Sequence, residues 1–208
     1  MTQAQSQQPA SPLKPESAPA AAAPVPAAVA NPAPLGLAAF ALTTFILSLV
    51  NSGLVTGSSL AIVVGLALAY GGLGQLIAGW WEFRNGNTFG GVAFTSYGGF
   101  WWSFAAFVFM FQGKDAGKIV AWYLLMWGVF TFYMWIATLK GARPVMVVFL
   151  LLWITFVLLA LGGFTNAAAG NGLTAIGGYA GLLTAIAAFY ASARAVINEA
   201  FGSEILPG

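Results

Sequence analysis

The polar side chains inside the long apolar stretches of this 208-residue chain limit the chemistry it can do. Thr43, Thr44, Gln75, Thr95, Ser96, Tyr97, Thr131, Tyr133, Thr155 and Thr184 offer hydrogen bonds without a fixed charge. Such groups can line a narrow path for a small solute that is neutral or a weak acid, and they suit a strongly charged solute poorly. Each hydroxyl has a competing use, a bond back to the carbonyl four residues earlier on its own helix. Gln75 is harder to satisfy, because its amide has four hydrogen-bonding positions and a helix supplies few. The chain has no histidine and no cysteine, which removes imidazole bases, thiol nucleophiles, disulfides and the commonest zinc and haem ligands. Neither a metal site nor a cofactor is expected. Hydroxyls without an activating neighbour do not make a catalytic centre, so an enzyme is not expected either. With no ionisable residue read at mid-membrane depth, a carboxylate relay for proton pumping is also disfavoured.

The elements that must position these groups are set by hydropathy. Sixty per cent of the residues are hydrophobic and 6% charged, against about a quarter charged in a soluble domain. A soluble fold of this size would leave far too much surface for so few charges to cover. The chain therefore reads as an all-α integral membrane protein. Hydrophobic runs of the length needed to cross about 30 Å of hydrocarbon recur six times. They cover about residues 35–50, 59–81, 93–111, 119–139, 145–164 and 173–196. The loop 112–118 is the most polar, and 166–171 is neutral. Residues 1–30 are rich in Ala, Pro, Gln and Ser, a composition expected of a disordered tail preceding a six-helix domain over 31–208. Pro9, Pro12, Pro15, Pro19, Pro24 and Pro26 break any helical run there, so a cleaved signal is not expected.

With the N-terminus in the cytoplasm, Lys14, Arg84, Lys140, Arg143 and Arg194 lie inside, against Lys114 and Lys118 outside. The positive-inside rule thus favours both termini cytoplasmic. The net charge of +2 reflects these loop residues and gives no reason to expect nucleic acid as a partner. Trp80, Trp81, Trp101 and Trp102 fall near predicted helix ends and fit interfacial anchors, while Trp101 and Trp102 fit core packing equally well. Gly74 and Ala78, and Gly177, Gly181 and Ala185, form small-xxx-small patterns for close helix contact, within a subunit or between subunits. Asn31, Pro32 and Pro34 mark a helix start. The free backbone N–H groups there could also hold a carboxylate.

These segments resemble, in order, the motifs of the acetate uptake transporter family. The heptapeptide Asn31-Pro-Ala-Pro-Leu-Gly-Leu37 enters the first helix. It is followed by Tyr70-Gly-Gly-Leu-Gly-Gln75, Glu82 with Gly86-Asn-Thr-Phe-Gly90, Ala93-Phe-Thr-Ser-Tyr-Gly98 and Phe100-Trp101. Trp127-Gly-Val-Phe-Thr131, Thr138-Leu-Lys-Gly-Ala-Arg143, and Asn198-Glu199 with Phe201-Gly202 complete the set, over residues 31 to about 206. The resemblance implies six transmembrane helices per protomer and assembly as a hexameric ring in the cell (inner) membrane. Each protomer would carry its own path for acetate and related small monocarboxylates, with succinate a further candidate. By position it assigns the constriction to Phe40, Tyr97 and Leu152, with Leu151 one register away. It places a width-setting small residue at Ala188 and polar substrate-binding residues at Thr43 and Gln75; Asn31 at the helix start and Thr95 among the intramembrane hydroxyls are further candidates for substrate binding. The longer Ala/Pro tail and Pro144 depart from the bacterial type.

The chemistry of such a constriction follows from solvation. A ring of apolar side chains strips water from whatever crosses it, a steep penalty for a bare carboxylate and a small one for the neutral acid. Acetic acid titrates close to an ordinary side-chain carboxyl, so uptake is expected to strengthen as external pH falls, with protons carried along. A non-transporting membrane receptor or scaffold would share the hydropathy; the ordered motifs are what favour transport.

Overall fold

The structure is a computed structural model that describes residues 29–55, 60–110 and 117–208. Residues 1–28 of the expected tail, most of the polar loop, and the expected span ends at Ser59 and Phe111 lie outside the described residues. Among those described, every regular element is helical.

Among the described residues, six helices are long and apolar enough to cross a membrane: α1 Ala33–Asn51, α2 Leu60–Arg84, α3 Thr88–Met110, α4 Ile119–Thr138, α5 Arg143–Phe164 and α6 Gly172–Phe201. They correspond one to one with the six apolar runs, and most extend a few residues beyond them because the caps lie outside the hydrophobic stretch. At the start of α1, Ala33 N donates to Asn31 Oδ1 at 3.0 Å, and Pro34 occupies a first-turn position whose N–H needs no helical partner. Pro144 does the same for α5. Gly202, with φ of 62°, ends α6 in the left-handed conformation that glycine adopts without strain. Asn198 then fastens the chain beyond it, its Oδ1 accepting from Ile205 N at 2.8 Å and Leu206 N at 2.9 Å.

The α2 helix is not uniform. Ala69–Gly74 winds as a π-helix between two α-helical halves. Its glycines allow neighbours to approach closely, and Trp102 of α3 donates from Nε1 to Leu68 O at 3.0 Å beside the widened turn. Trp102 and the buried Trp101 stand past the midpoint of α3, which begins five residues earlier than hydropathy indicated. The interfacial reading of these two is thereby corrected. Trp101 is 1% exposed and packs in the core, whereas Trp80 and Trp81 are exposed near the end of α2.

Helix α6 packs on both α1 and α5, α5 on α4, α1 on α2, and α2 on α3. The backbones of α3 and α4 remain farther apart, and aromatic rings fill the interval. Phe100 stacks on Tyr123 at 5.9 Å and meets Trp127 edge-on at 5.3 Å. The six helices thus close around a shared interior rather than forming a row.

The small-residue patterns serve contacts inside the protomer. Gly74 faces Ala39 of α1, Gly177 faces Leu159 of α5, and Gly181 sits against Ser48 and Thr155. Gly71 makes a further close approach to α1: a Cβ there would lie 2.6 Å from Thr43 Oγ1. Gly71→Ala should cost about 1–3 kcal/mol by overpacking, read as a lower melting temperature in detergent. Adding Thr43→Ala should recover part of the loss, because the two side chains meet at one contact. Full additivity in the double variant would contradict this account.

Candidate functional site

Helical spacing decides which polar groups of α1 reach the interior. Phe40, Thr44, Leu47, Ser48 and Asn51 recur at three- and four-residue intervals, and so share one face. That face lines a cavity of about 470 Å³. Helix α3 contributes Tyr97, Phe100 and Phe104, and α5 contributes Leu152, Thr155 and Leu159. The cavity lies toward the end where α1 and α5 finish and α4 and α6 begin. Its polar groups are sparse. Thr44 Oγ1 is buried without a protein partner. Thr155 Oγ1 donates to Leu151 O at 2.8 Å or toward Thr184 Oγ1 at 3.2 Å.

A second cavity, of about 340 Å³, lies toward the opposite end, where α1, α3 and α5 begin. Leu37, Glu82, Asn87, Phe94, Thr138 and Phe149 are among its lining residues. Between the two stands a buried layer. Phe40, Tyr97, Leu152 and Ala188 are 5%, 3%, 4% and 0% exposed and belong to one packed cluster. Phe40 and Tyr97 have ring centroids 5.9 Å apart, and Tyr97 meets Phe149, which lines the second cavity, at 6.1 Å. Leu152 lines the first cavity with Phe40 and Tyr97, whereas Leu151 does not.

The Tyr97 hydroxyl does not make this layer polar. Its oxygen lies 2.9 Å from Thr131 Oγ1, which itself donates to Trp127 O at 2.7 Å. With the threonine proton committed to that carbonyl, the tyrosine donates to Thr131 and its polar end is held against α4. Phe130 meets the same ring edge-on at 5.4 Å. Both contacts fix the ring, and an aromatic contact of this kind contributes about 0.5–1.5 kcal/mol beyond area burial.

The other residues singled out from sequence lie elsewhere. Thr43 is fully buried, but its hydroxyl donates to Ala39 O at 2.9 Å and it lines neither cavity. One residue along, Thr44 occupies the cavity face. Asn31 is exposed and engaged in starting α1. Thr95 is exposed and lies against Gly79 of α2. Gln75 is fully buried with neither amide atom bonded to protein, and it too lies outside both linings. Glu82 is the group that hydropathy missed. It falls just past the expected end of the second span, but α2 continues to Arg84 and leaves its side chain 2% exposed. The signal was its place beside the family-like block Gly86-Asn-Thr-Phe-Gly90 rather than its local polarity.

The sequence matches the GPR1/FUN34/yaaH family over residues 13–203. It is 40% identical over 183 residues to the succinate-acetate/proton symporter SatP of Escherichia coli, covering 86% of this chain and 95% of that protein. It is 44% identical over 170 residues to ammonia transport outward protein 2 of Saccharomyces cerevisiae, covering 77% of this chain and 59% of that longer protein. A solved structure of the bacterial acetate channel SatP superposes with a TM-score of 0.80 at 42% identity, covering 86% of this chain and 98% of that one. These neighbours are transporters and channels, not enzymes. Together with six membrane-length helices, they make this a multi-pass membrane protein.

Proposed function

The chain belongs to the GPR1/FUN34/yaaH family, and we propose that it carries acetate and related small monocarboxylates across the cell (inner) membrane through a path inside each protomer. The observation that carries this reading is the buried layer of Phe40, Tyr97 and Leu152 separating two cavities that lie toward opposite ends of the bundle. A carboxylate crossing the layer would lose its hydration with no cation to replace it, while the neutral acid crosses at far smaller cost. Solute and proton therefore travel together. Succinate fits the same logic but must shed charge at two carboxyls, and so moves more slowly.

In this reading six protomers form a ring, each with its own path, and the termini face the cytoplasm. Arg84, Lys140 and Arg143 support that orientation, since all three stand at helix ends on the side of the second cavity. Thr44 and Thr155 offer the solute hydrogen bonds in the first cavity. Asn31, Thr43, Gln75 and Thr95 remain proposed contributors to substrate binding, and they would reach the solute in another state of the helices.

Radiolabelled acetate uptake into proteoliposomes, taken as the excess over protein-free vesicles, tests the proposal. At equal total acetate, uptake at about pH 5 should exceed that at about pH 8 by more than tenfold, because the neutral fraction falls about tenfold for each pH unit above the carboxyl range. Equal uptake at both would overturn the neutral-acid gate. No excess at either would leave the scaffold reading in its place.

A further inference from the structure

Glu82 is a buried carboxyl for which the apolar layer has no use. Its Oε2 accepts from Asn87 Nδ2 at 2.8 Å. The orientation of that amide is set by its other end, since Asn87 Oδ1 accepts from Gly90 N at 3.1 Å. Oε1 is buried with no protein partner, and Glu82 lines the second cavity. Among the described residues the ion pair within 4.0 Å is Arg194 with Glu204, so no cation neutralises Glu82. The charged groups on the surrounding elements are the exposed Arg84 on α2 itself, Lys140 just after α4 and Arg143 opening α5. Helices α1 and α3, packed against this part of α2, bring none. Buried polar groups without a partner are rare enough to need a reason. A carboxyl with one free oxygen beside a cavity of this size can pair with a second carboxyl through a shared proton.

We propose that Glu82 exchanges the proton of the transported acid in the second cavity. A neutral acid that has crossed the layer gives its carboxyl proton to the Glu82 carboxylate; the solute is left as an anion and Glu82 as a carboxylic acid. Glu82 then releases the proton to water at the cavity mouth. In the reverse direction the protonated Glu82 neutralises an incoming anion before it meets the layer. This inference rests on the reading of the protein as a carrier of small carboxylates, and it names the protein group through which the proton passes.

Glu82→Gln keeps the side-chain length and an oxygen for Asn87 but removes the exchangeable proton. Acetate flux in proteoliposomes should be measured from about pH 5 to pH 8. The wild type should lose flux less steeply than the neutral-acid fraction, while E82Q follows that fraction at about tenfold per pH unit and carries about tenfold less than wild type near pH 7.5. Glu82→Asp, which restores a carboxyl, should recover the shallower profile. Identical profiles for wild type and E82Q, or an E82D no better than E82Q, would overturn the role of Glu82 alone. A wild type that moves no acetate overturns the transport reading and this inference with it. If E82Q does not assemble, infrared difference spectra of the wild type with carbon-13 acetate replace it. The expected result is a carboxylic acid band from a buried side chain that responds to acetate, and a silent spectrum overturns the inference.

Discussion

Leu152→Ala is expected to raise lactate uptake by about tenfold while leaving acetate uptake within a few-fold of the wild type. Leu152 is 4% exposed and packs in the layer with Phe40 and Tyr97, so its truncation removes three carbons from the proposed constriction. A methylene in a hydrophobic pocket discriminates between substrates by about 1–3 kcal/mol, which corresponds to tenfold or more in rate. Lactate is larger than acetate by a hydroxyl-bearing carbon, and in the neutral form it needs width rather than charge compensation. The Tyr97 ring in the same layer is held by its own contacts with Thr131 and Phe130, and so should not collapse into the space. The comparison to make is lactate against acetate uptake for both proteins, at a pH where both acids are partly neutral. An unchanged ratio would remove Leu152 from the constriction.

The converse change, Ala188→Phe, should lower acetate uptake by at least about tenfold. Ala188 is fully buried on α6 within the same cluster, so a phenyl ring there has nowhere to go except into the layer. Overpacking costs about 1–3 kcal/mol, so the variant must be shown to elute and melt as an assembled protein. The more telling measurement is the double variant. If both residues bound one gap, Leu152→Ala in the Ala188→Phe background should restore acetate uptake substantially. Independent effects would instead multiply. Strict independence would place the two residues on separate features.

The candidate site was partly legible because Tyr97 lies in an ordered motif, Phe40 lies beside one, and Leu152 and Ala188 can be placed by counting from others. Phe40, Tyr97, Leu152 and Ala188 come from four helices, and they meet in one buried cluster. The neighbouring polar residues were less legible. Thr43 and Thr44 are adjacent and chemically identical, but a helix turns about 100° between them, so one back-bonds against α2 and the other faces a cavity. In a helix that is apolar all round, no amphipathic stripe tells the two apart. Glu82 illustrates the opposite failure. A window that ends a span at its first charge cannot register that the helix continues and turns that charge inward. The π-helical turn at Ala69–Gly74 likewise has no hydropathic signature, since its glycines are as compatible with an α-helix packed closely against a neighbour.

The residues by themselves determined that the chain lives in a membrane and crosses it in six spans. Transfer from water into hydrocarbon is close to a sum over side chains, and the bilayer thickness sets the length over which that sum is taken. They also determined that the spans carry few fixed charges. Only the tertiary structure decided which face of each helix turns inward. It placed the close glycine contacts within the protomer, showed the tyrosine hydroxyl tied back to α4, and set a carboxyl beside the second cavity. The reason is contrast. In water a buried face differs from an exposed one in polarity, whereas in lipid both are apolar, and shape alone separates the wall of a path from the surface of a bundle.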